Sequence, residues 1–306
     1  VGGLDQTLQK RLGATGLIQI AAVVGLEEFI DSYIKSRTDV KPSTKVMYGQ
    51  TRRRLLKYFD PATPLSDISS EKAIAWRQNL AETGLADNTI RRTTGIAKQF
   101  FTAAIKKGYI PSNPFEELPC AIRPNSKRYY FITEEEAQQV LAACPNDEWR
   151  LIFALCRYGG LRCPSEVLRL TWGDIDWKRN RFTVHSPKTE HHDGHESRLV
   201  PLFPEVAEAL RNVQYQAQEN SDYVITQYRL NNLNLRTQLK RILRKAGLEP
   251  WPKLFQNLRS SRETELAERF PLHVVTAWLG NSVTVAQKHY LQVTEAHITK
   301  AAKRQR

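Results

Sequence analysis

Residues 181–202 read RFTVHSPKTEHHDGHESRLVPL, and they decide the fold class because here the hydrophobic period changes. Phe182 and Val184 alternate with Arg181, Thr183 and His185, a polar loop follows, and 198–202 return as a second strand, so the stretch reads as a β-hairpin. On both sides the spacing is helical. Upstream, Thr133-Glu134-Glu135-Glu136 is a capping-box sequence leading into Ala137, Val140 and Leu141. A buried helix over 149–158 stops at Gly159-Gly160. Pro164, placed at a first helical turn, is expected to open another helix through Val167, Leu168 and Leu170. After Pro204 the chain is helical again, apart from a short strand expected over 223–225.

The first part of the chain carries helical stripes only. Leu26, Phe29, Ile30, Tyr33 and Ile34 form one, ending before Pro42. Ser43 suits the N-cap of a second helix through Tyr48, Leu55 and Tyr58. A third follows Ser69-Ser70-Glu71 with Ile74, Trp76 and Leu80, and a fourth runs from Asp87 through Ile90, Ile96, Phe100, Phe101 and Ile105 to Gly108. Residues 26–118 therefore read as a bundle of four or five short helices. Pro111, Pro114, Pro119 and Pro124, followed by Ser126-Lys127-Arg128, make the Pro-rich, basic connector. The expected organisation is an arm over 1–25, the bundle over 26–118, a linker over 119–130 and a second domain over 131–306. In the arm, Leu8, Leu12 and Leu17 form a short pattern broken by Gly13 and Gly16. The class is mainly α with a small β-hairpin or sheet in the second domain.

Length and composition agree with two ordinary domains. The chain has 306 residues, 41% hydrophobic and 25% charged, with Gly and Pro at 15 each. This excludes a collagen-like or largely disordered chain. Net charge is +13, which favours a polyanionic partner. Residues 1–126 hold 18 basic and 12 acidic side chains, and the remainder 27 and 20, so the excess is spread over both halves rather than gathered in a tail. Cys120, Cys144, Cys156 and Cys163 form no CxxC pair and read as reduced thiols. No apolar stretch reaches the length of a bilayer span and no cleavable leader is visible. The expectation is a soluble, cytoplasmic, nucleoid-associated protein without a membrane partner. The chain opens Val1-Gly2-Gly3 without Met, so the natural start is expected upstream or to have been removed.

Three stretches carry residues suited to chemistry. The first is Gly159-Gly160-Leu161-Arg162-Cys163-Pro164-Ser165-Glu166, the second Pro187-Lys188-Thr189 in the hairpin. The third comprises Gln256-Asn257-Leu258-Arg259, Leu279-Gly280-Asn281-Ser282 and Tyr290. Guanidinium groups clamp phosphate oxygens without losing charge, a tyrosine hydroxyl can serve as a covalent nucleophile, and a lysine can protonate a departing alkoxide. Together the stretches resemble the tyrosine recombinase (phage integrase) family, in which an arginine in a GLR-xx-E turn, a hairpin lysine, an HxxR helix, an LGHS turn and a C-terminal tyrosine occur in this order. The resemblance covers the chain from about Thr133 onward, and the helical first half looks like the family's core-binding domain.

The resemblance implies a site-specific recombinase that cleaves and rejoins DNA through a 3′-phosphotyrosine. Tyr290 would be the nucleophile, Arg162 and Arg259 the phosphate clamp, Lys188 the general acid and Glu166 an orienting residue. Arg262 lies on almost the same helix face as Arg259, and by position alone either serves as the clamp. Gln256 and Asn281 stand where the family has histidines; an amide donates to a phosphate oxygen but takes no proton near neutral pH. No cofactor, ATP or metal is implied. His191, His192 and His195, with His185 nearby at the strand end, are read as a solvated loop that approaches DNA and not as a metal site. Lys45, Arg52, Arg53, Arg54, Lys57, Arg91 and Arg92 are the candidate duplex contacts. The resemblance further implies a partner DNA with a specific recombination site, a homotetramer on it and a monomer or weak oligomer without it. The tail from Thr294 is expected to form a small helix that packs on its own domain or exchanges into a neighbouring protomer. Two other readings remain open: a DNA-binding protein that lost catalysis with its histidines, and a type IB topoisomerase.

Overall fold

The structure, a computed structural model, describes residues 23–187, 196–216, 221–229 and 234–302. The expected arm pattern over residues 5–20, Lys188 and the loop histidines 191, 192 and 195 lie outside the described residues. The chain divides into two compact units, Val1–Arg123 and Pro124–Arg306.

In the first unit the apolar stripes become helices α1 (Leu26–Ser36), α2 (Pro42–Tyr58), α3 (Ser70–Glu82) and α4 (Asp87–Lys106). Tyr33, Tyr48 and Phe100 meet in a triangle with ring centres 5.2 to 5.9 Å apart. Trp76 stands edge-on to Phe115 at 5.5 Å and donates its indole N–H to the Arg54 carbonyl, so the large ring is buried without an orphaned donor. Ser69 caps α3 by accepting from the Lys72 amide. The N-cap of helix α2 lies two residues earlier than expected, at Lys41, with Pro42 at the first helical position. Ser43 is thus inside the first turn, because a proline there has a preset φ and gives up an N–H that would lack a helical partner anyway.

The second unit begins with α5 (Glu134–Ala143), for which Thr133 and Glu136 form both halves of the capping box. Helix α6 (Asp147–Arg157) starts at an Asn146 cap and is buried along nearly its whole length. The three strands β1 (Ile175–Asp176), β2 (Arg181–His185) and β3 (Ser197–Pro201) pair antiparallel in the order β1-β2-β3, with Phe182 opposite Val200. Phe182, Val184 and Val200 face the core while Leu199 is exposed. Then follow α7 (Pro204–Gln216), α8 (Leu235–Lys245), α9 (Leu254–Ala267), α10 (Leu272–Leu279), α11 (Val283–His289) and α12 (Glu295–Ala302). Helix α6 packs against α7 and α9, and α10 lies on β3 and α9. Among the described residues no helix is long and apolar enough to cross a membrane.

Two expectations fail here for one reason. The helix expected from Pro164 is only a 3-10 turn, Val167–Arg169, and the strand expected over 223–225 is a single bridge between Thr171 and Tyr223. The Trp172 amide donates to the Asp222 carbonyl, and the Val224 amide to that of Leu170. Those bonds go with extended backbone at Leu170 and Thr171, which ends the helical turn early.

Candidate active site

The turn after α6 is shaped by Gly160. Its φ is +67°, and a Cβ there would stand 2.2 Å from Leu279 Cδ2. Only glycine takes that conformation and lets the end of α10 come so close. Arg162 leaves this turn and donates through Nη2 to the Gly280 carbonyl at 2.6 Å and through Nη1 to Glu166. Glu166 returns to accept from the Arg162 amide at 2.8 Å. The spacing of four in the sequence is therefore a closed loop of hydrogen bonds that fixes the guanidinium.

Glu166 is 2% exposed and also accepts from Ser186 and, through both oxygens, from Arg198 at 2.9 and 2.7 Å. Burial alone would raise its pKa. The Arg198 hydrogen bonds, followed by the charges of Arg198, Arg162 and Arg259, outweigh burial and hold the carboxyl down to about 2. Glu166 is thus an anion that hydrogen-bonds two arginines, Arg162 and Arg198, and whose charge is felt by Arg259.

Arg259, on α9, is 2% exposed. Nη1 donates to the Gly160 carbonyl at 2.7 Å and Nη2 to that of Leu279, so Arg259 ties the α6 turn to the end of α10. Among the described residues no carboxylate forms an ion pair with it. Burial, with the like charge of Arg162 behind it, brings the guanidinium down to about 10, which leaves it protonated at neutral pH. Its carbon lies 5.3 Å from the centre of the Tyr290 ring. Arg262 turns the other way: it donates to the Tyr158 carbonyl, lies 4.2 Å from the Phe203 ring centre and pairs with Glu265. Of the two arginines, Arg259 is the one bound to the turn that carries Arg162 and lying beside the Tyr290 ring.

Tyr290 follows α11 and is half-buried. Ser260 donates to its carbonyl, and Gln292 bonds both Thr264 and Ser260, so the chain at and just after the tyrosine is pinned to α9. Among the described residues its hydroxyl has no hydrogen-bond partner. Gln256 stands three residues before Arg259 in the first turn of α9. It lines a cavity of about 780 Å³ together with Arg128, Arg229, Arg236 and Lys253, a basic wall suited to a phosphate backbone. Asn281 differs from the simple picture of an amide turned to phosphate: Nδ2 donates to both oxygens of Glu263, at 2.8 and 3.1 Å. Ser186, two residues before Lys188, touches Glu166, and its amide closes the hairpin base on Glu196.

The candidate duplex contacts fall into two groups. Arg53, Lys57 and Arg92 are exposed and Lys45 is half-buried. Arg52 is held by Glu27 and Asp31, Arg54 donates to Thr93, and Arg91 is buried between Asp87 and the Ala121 carbonyl. Sequence reasoning missed Arg198 and Glu263. The signal for Arg198 was available, since it shares the inward face of β3 with Val200 while its neighbour Leu199 points out.

The sequence profile of the Phage integrase family matches residues 130–297, more than half of the chain, and that of the Phage integrase SAM-like domain matches 26–123. The chain belongs to the phage integrase family. As a member, this integrase is a DNA strand transferase working by the tyrosine-recombinase mechanism of strand cleavage and rejoining. It is 26% identical over 307 residues to a tyrosine recombinase XerC-like protein of Caldanaerobacter subterraneus, covering 87% of this chain and 78% of the relative. Its fold is similar to that of the Tn1549 transposon integrase in complex with circular intermediate DNA, with a TM-score of 0.69 at 19% identity over 92% of this chain and all of that one. It is equally similar to the lambda integrase in a tetramer bound to a Holliday junction, with a TM-score of 0.70 at 19% identity over 94% of this chain and 85% of that one.

Proposed function

We propose that this integrase is a site-specific recombinase whose partner is double-stranded DNA and whose cutting residue is Tyr290. The observation that carries the reading is the convergence of Arg162 and Arg259 on the α6 turn and the α10 end, with the Tyr290 ring beside Arg259. Two of the five N–H donors of Arg259 hold backbone carbonyls, and the others remain for a phosphate. The Tyr290 oxygen attacks phosphorus and gives up its proton to water or to a phosphate oxygen, since the amides at 256 and 281 take none; the bond from phosphorus to the 5′-oxygen breaks, and Lys188 protonates that oxygen. The 3′-phosphotyrosine keeps the phosphodiester energy, so rejoining reverses the step without ATP or metal. Gln256 donates to a phosphate oxygen from the cavity wall. Glu166 keeps Arg162 oriented and does not react.

The division of labour follows the chain. The bundle over 26–118 holds the duplex, with Lys45, Arg53, Lys57 and Arg92 on phosphates; 119–130 is the linker; 131–306 cuts, and its last helix exchanges between protomers. Four copies assemble on DNA, as the lambda tetramer does on its junction, and a single copy or weak oligomer prevails without it. The protein acts in the cytoplasm on nucleoid DNA.

The test is a nicked duplex carrying the sequence that the purified protein selects from random DNA. The wild type forms a covalent protein–DNA adduct on it, and Tyr290→Phe does not. Salt-sensitive binding with no adduct would favour a catalytically lost DNA-binding protein, and relaxation of plasmid lacking the site would favour a topoisomerase.

A further inference from the structure

Glu263 is fully buried on α9, one turn after Arg259, and Asn281 gives it both contacts of its Nδ2 group. The other end of the same amide has no complement: Asn281 Oδ1 is buried and without a hydrogen-bond partner. An unmatched acceptor is an unfavourable state, and it stands next to Gly280, whose carbonyl holds Arg162. A phosphate entering this cradle brings only acceptors. With Glu263 ionised, the cradle would then contain the phosphate oxygens, an orphaned amide oxygen and a carboxylate that monopolises the amide donor.

A proton on Glu263 resolves the conflict. The neutral carboxyl donates to Asn281 Oδ1, the amide turns over, and Nδ2 is released toward the phosphate. Every donor then meets an acceptor. The charged groups facing Glu263 are Arg259, from its own helix, and Arg162, from the α6 turn; both favour the carboxylate. Burial is the larger influence and pushes Glu263 upward from the ordinary carboxylate range, with the Asn281 hydrogen bond and then the two arginines opposing. A bound phosphate offsets the charge of those arginines and favours the proton further.

We propose that Glu263 is a positioning residue that takes up a proton when the scissile phosphate binds, turning the Asn281 amide over so that its Nδ2 group donates to that phosphate. The proton comes from solvent, and no covalent bond of the DNA changes in this step. The inference rests on the reading of the cradle as the cleavage site. It gives a chain with amides at 256 and 281 a titratable group behind the phosphate.

The experiment measures the rate of adduct formation on the selected nicked duplex against pH, with unfolding followed for each variant. In the wild type the rate falls as pH rises through the Glu263 titration, because the competent form is the protonated one. Glu263→Gln carries a permanent donor to Asn281 Oδ1, so its profile is flat there and its rate at the alkaline end exceeds the wild type by roughly tenfold. Glu263→Leu, with no donor to hold the turned amide, is slower than Glu263→Gln by roughly tenfold at all pH values. Superimposable profiles for the wild type and Glu263→Gln, or a Glu263→Gln rate as low as that of Glu263→Leu, would overturn the proposal while leaving the recombinase reading intact. Absence of any wild-type adduct would overturn both. Should Glu263→Gln not fold, calorimetry of wild-type binding to the duplex in buffers of different ionisation enthalpy decides: uptake of about one proton per chain supports the proposal, and none refutes it.

Discussion

Two buried arginines in the second unit contrast in a way that separates structure from chemistry. Arg157, on α6, is fully buried and meets Glu265 with both terminal nitrogens, one of which also donates to the Ile132 carbonyl. Arg259, on the neighbouring α9, is equally buried and meets backbone carbonyls with no paired carboxylate. A fold that only needed to bury a guanidinium would pair it, because an uncompensated buried charge is costly. Arg157 shows that this chain can do so. The charge left open at Arg259 is therefore the one with capacity for an anion from outside, and Tyr290 is the side chain lying over it.

The comparison can be broken from either side. Arg157→Met removes one partner of a buried pair and is expected to destabilise the second unit by about 3 kcal/mol, read by denaturant unfolding, with loss of activity only through loss of folded protein. Arg259→Lys keeps a charge but not the planar fork that holds two carbonyls, and should slow adduct formation by about 10² to 10³ with much less change in unfolding. Equal effects of the two substitutions on unfolding would erase the distinction.

The carboxylates sharpen it further. Glu166 has its pKa depressed to about 2 in the folded chain, so its contribution is present above the ordinary carboxylate range and is lost as pH falls toward 2. That contribution is on the order of 3 kcal/mol, and a Glu166→Gln variant should lose stability at neutral pH and show a flatter acid limb in a pH-unfolding series. Glu263 has the opposite sign, being raised, and gains proton affinity on folding. Two buried carboxyls around the same arginines are thus shifted in opposite directions, one held as a fixed anion and one favoured toward its protonated form.

The smallest effect is expected in the first unit, where Arg91 and Arg92 repeat the contrast between a paired and an open arginine. Arg91 is buried against Asp87, and Arg92 is exposed. Arg92→Ala should weaken DNA binding uniformly across sequences and reduce the slope of log K against log salt by about 1. Arg91→Ala should act mainly on unfolding. A salt titration of duplex binding checks both.

What was legible in the sequence were the features whose partners are near in the chain. The Thr133 capping box, the Ser69 cap, the β2–β3 alternation and the Gly160 turn each depend on neighbours within a few residues or on a repeating spacing. Pro164 misled because its turn is cut short by bonds to Asp222 and Val224, about fifty residues away. The β3 alternation turns Arg198 inward but does not mark its partner Glu166, 32 residues away, and no local pattern brings Glu263 to Asn281, 18 residues on. Family resemblance located the two arginines and the tyrosine in order, but only the fold showed that Arg259 and not Arg262 lies beneath Tyr290, and that the Asn281 donor is held by Glu263.

The central claim is that the open arginine and the tyrosine above it cut DNA. Incubation of the full chain with its selected nicked duplex, followed by denaturing electrophoresis, tests it most directly. The wild type is expected to form an adduct, linked through Tyr290 by peptide mapping, and a folded Tyr290→Phe variant none; an adduct that survives in Tyr290→Phe would mean that another residue cuts.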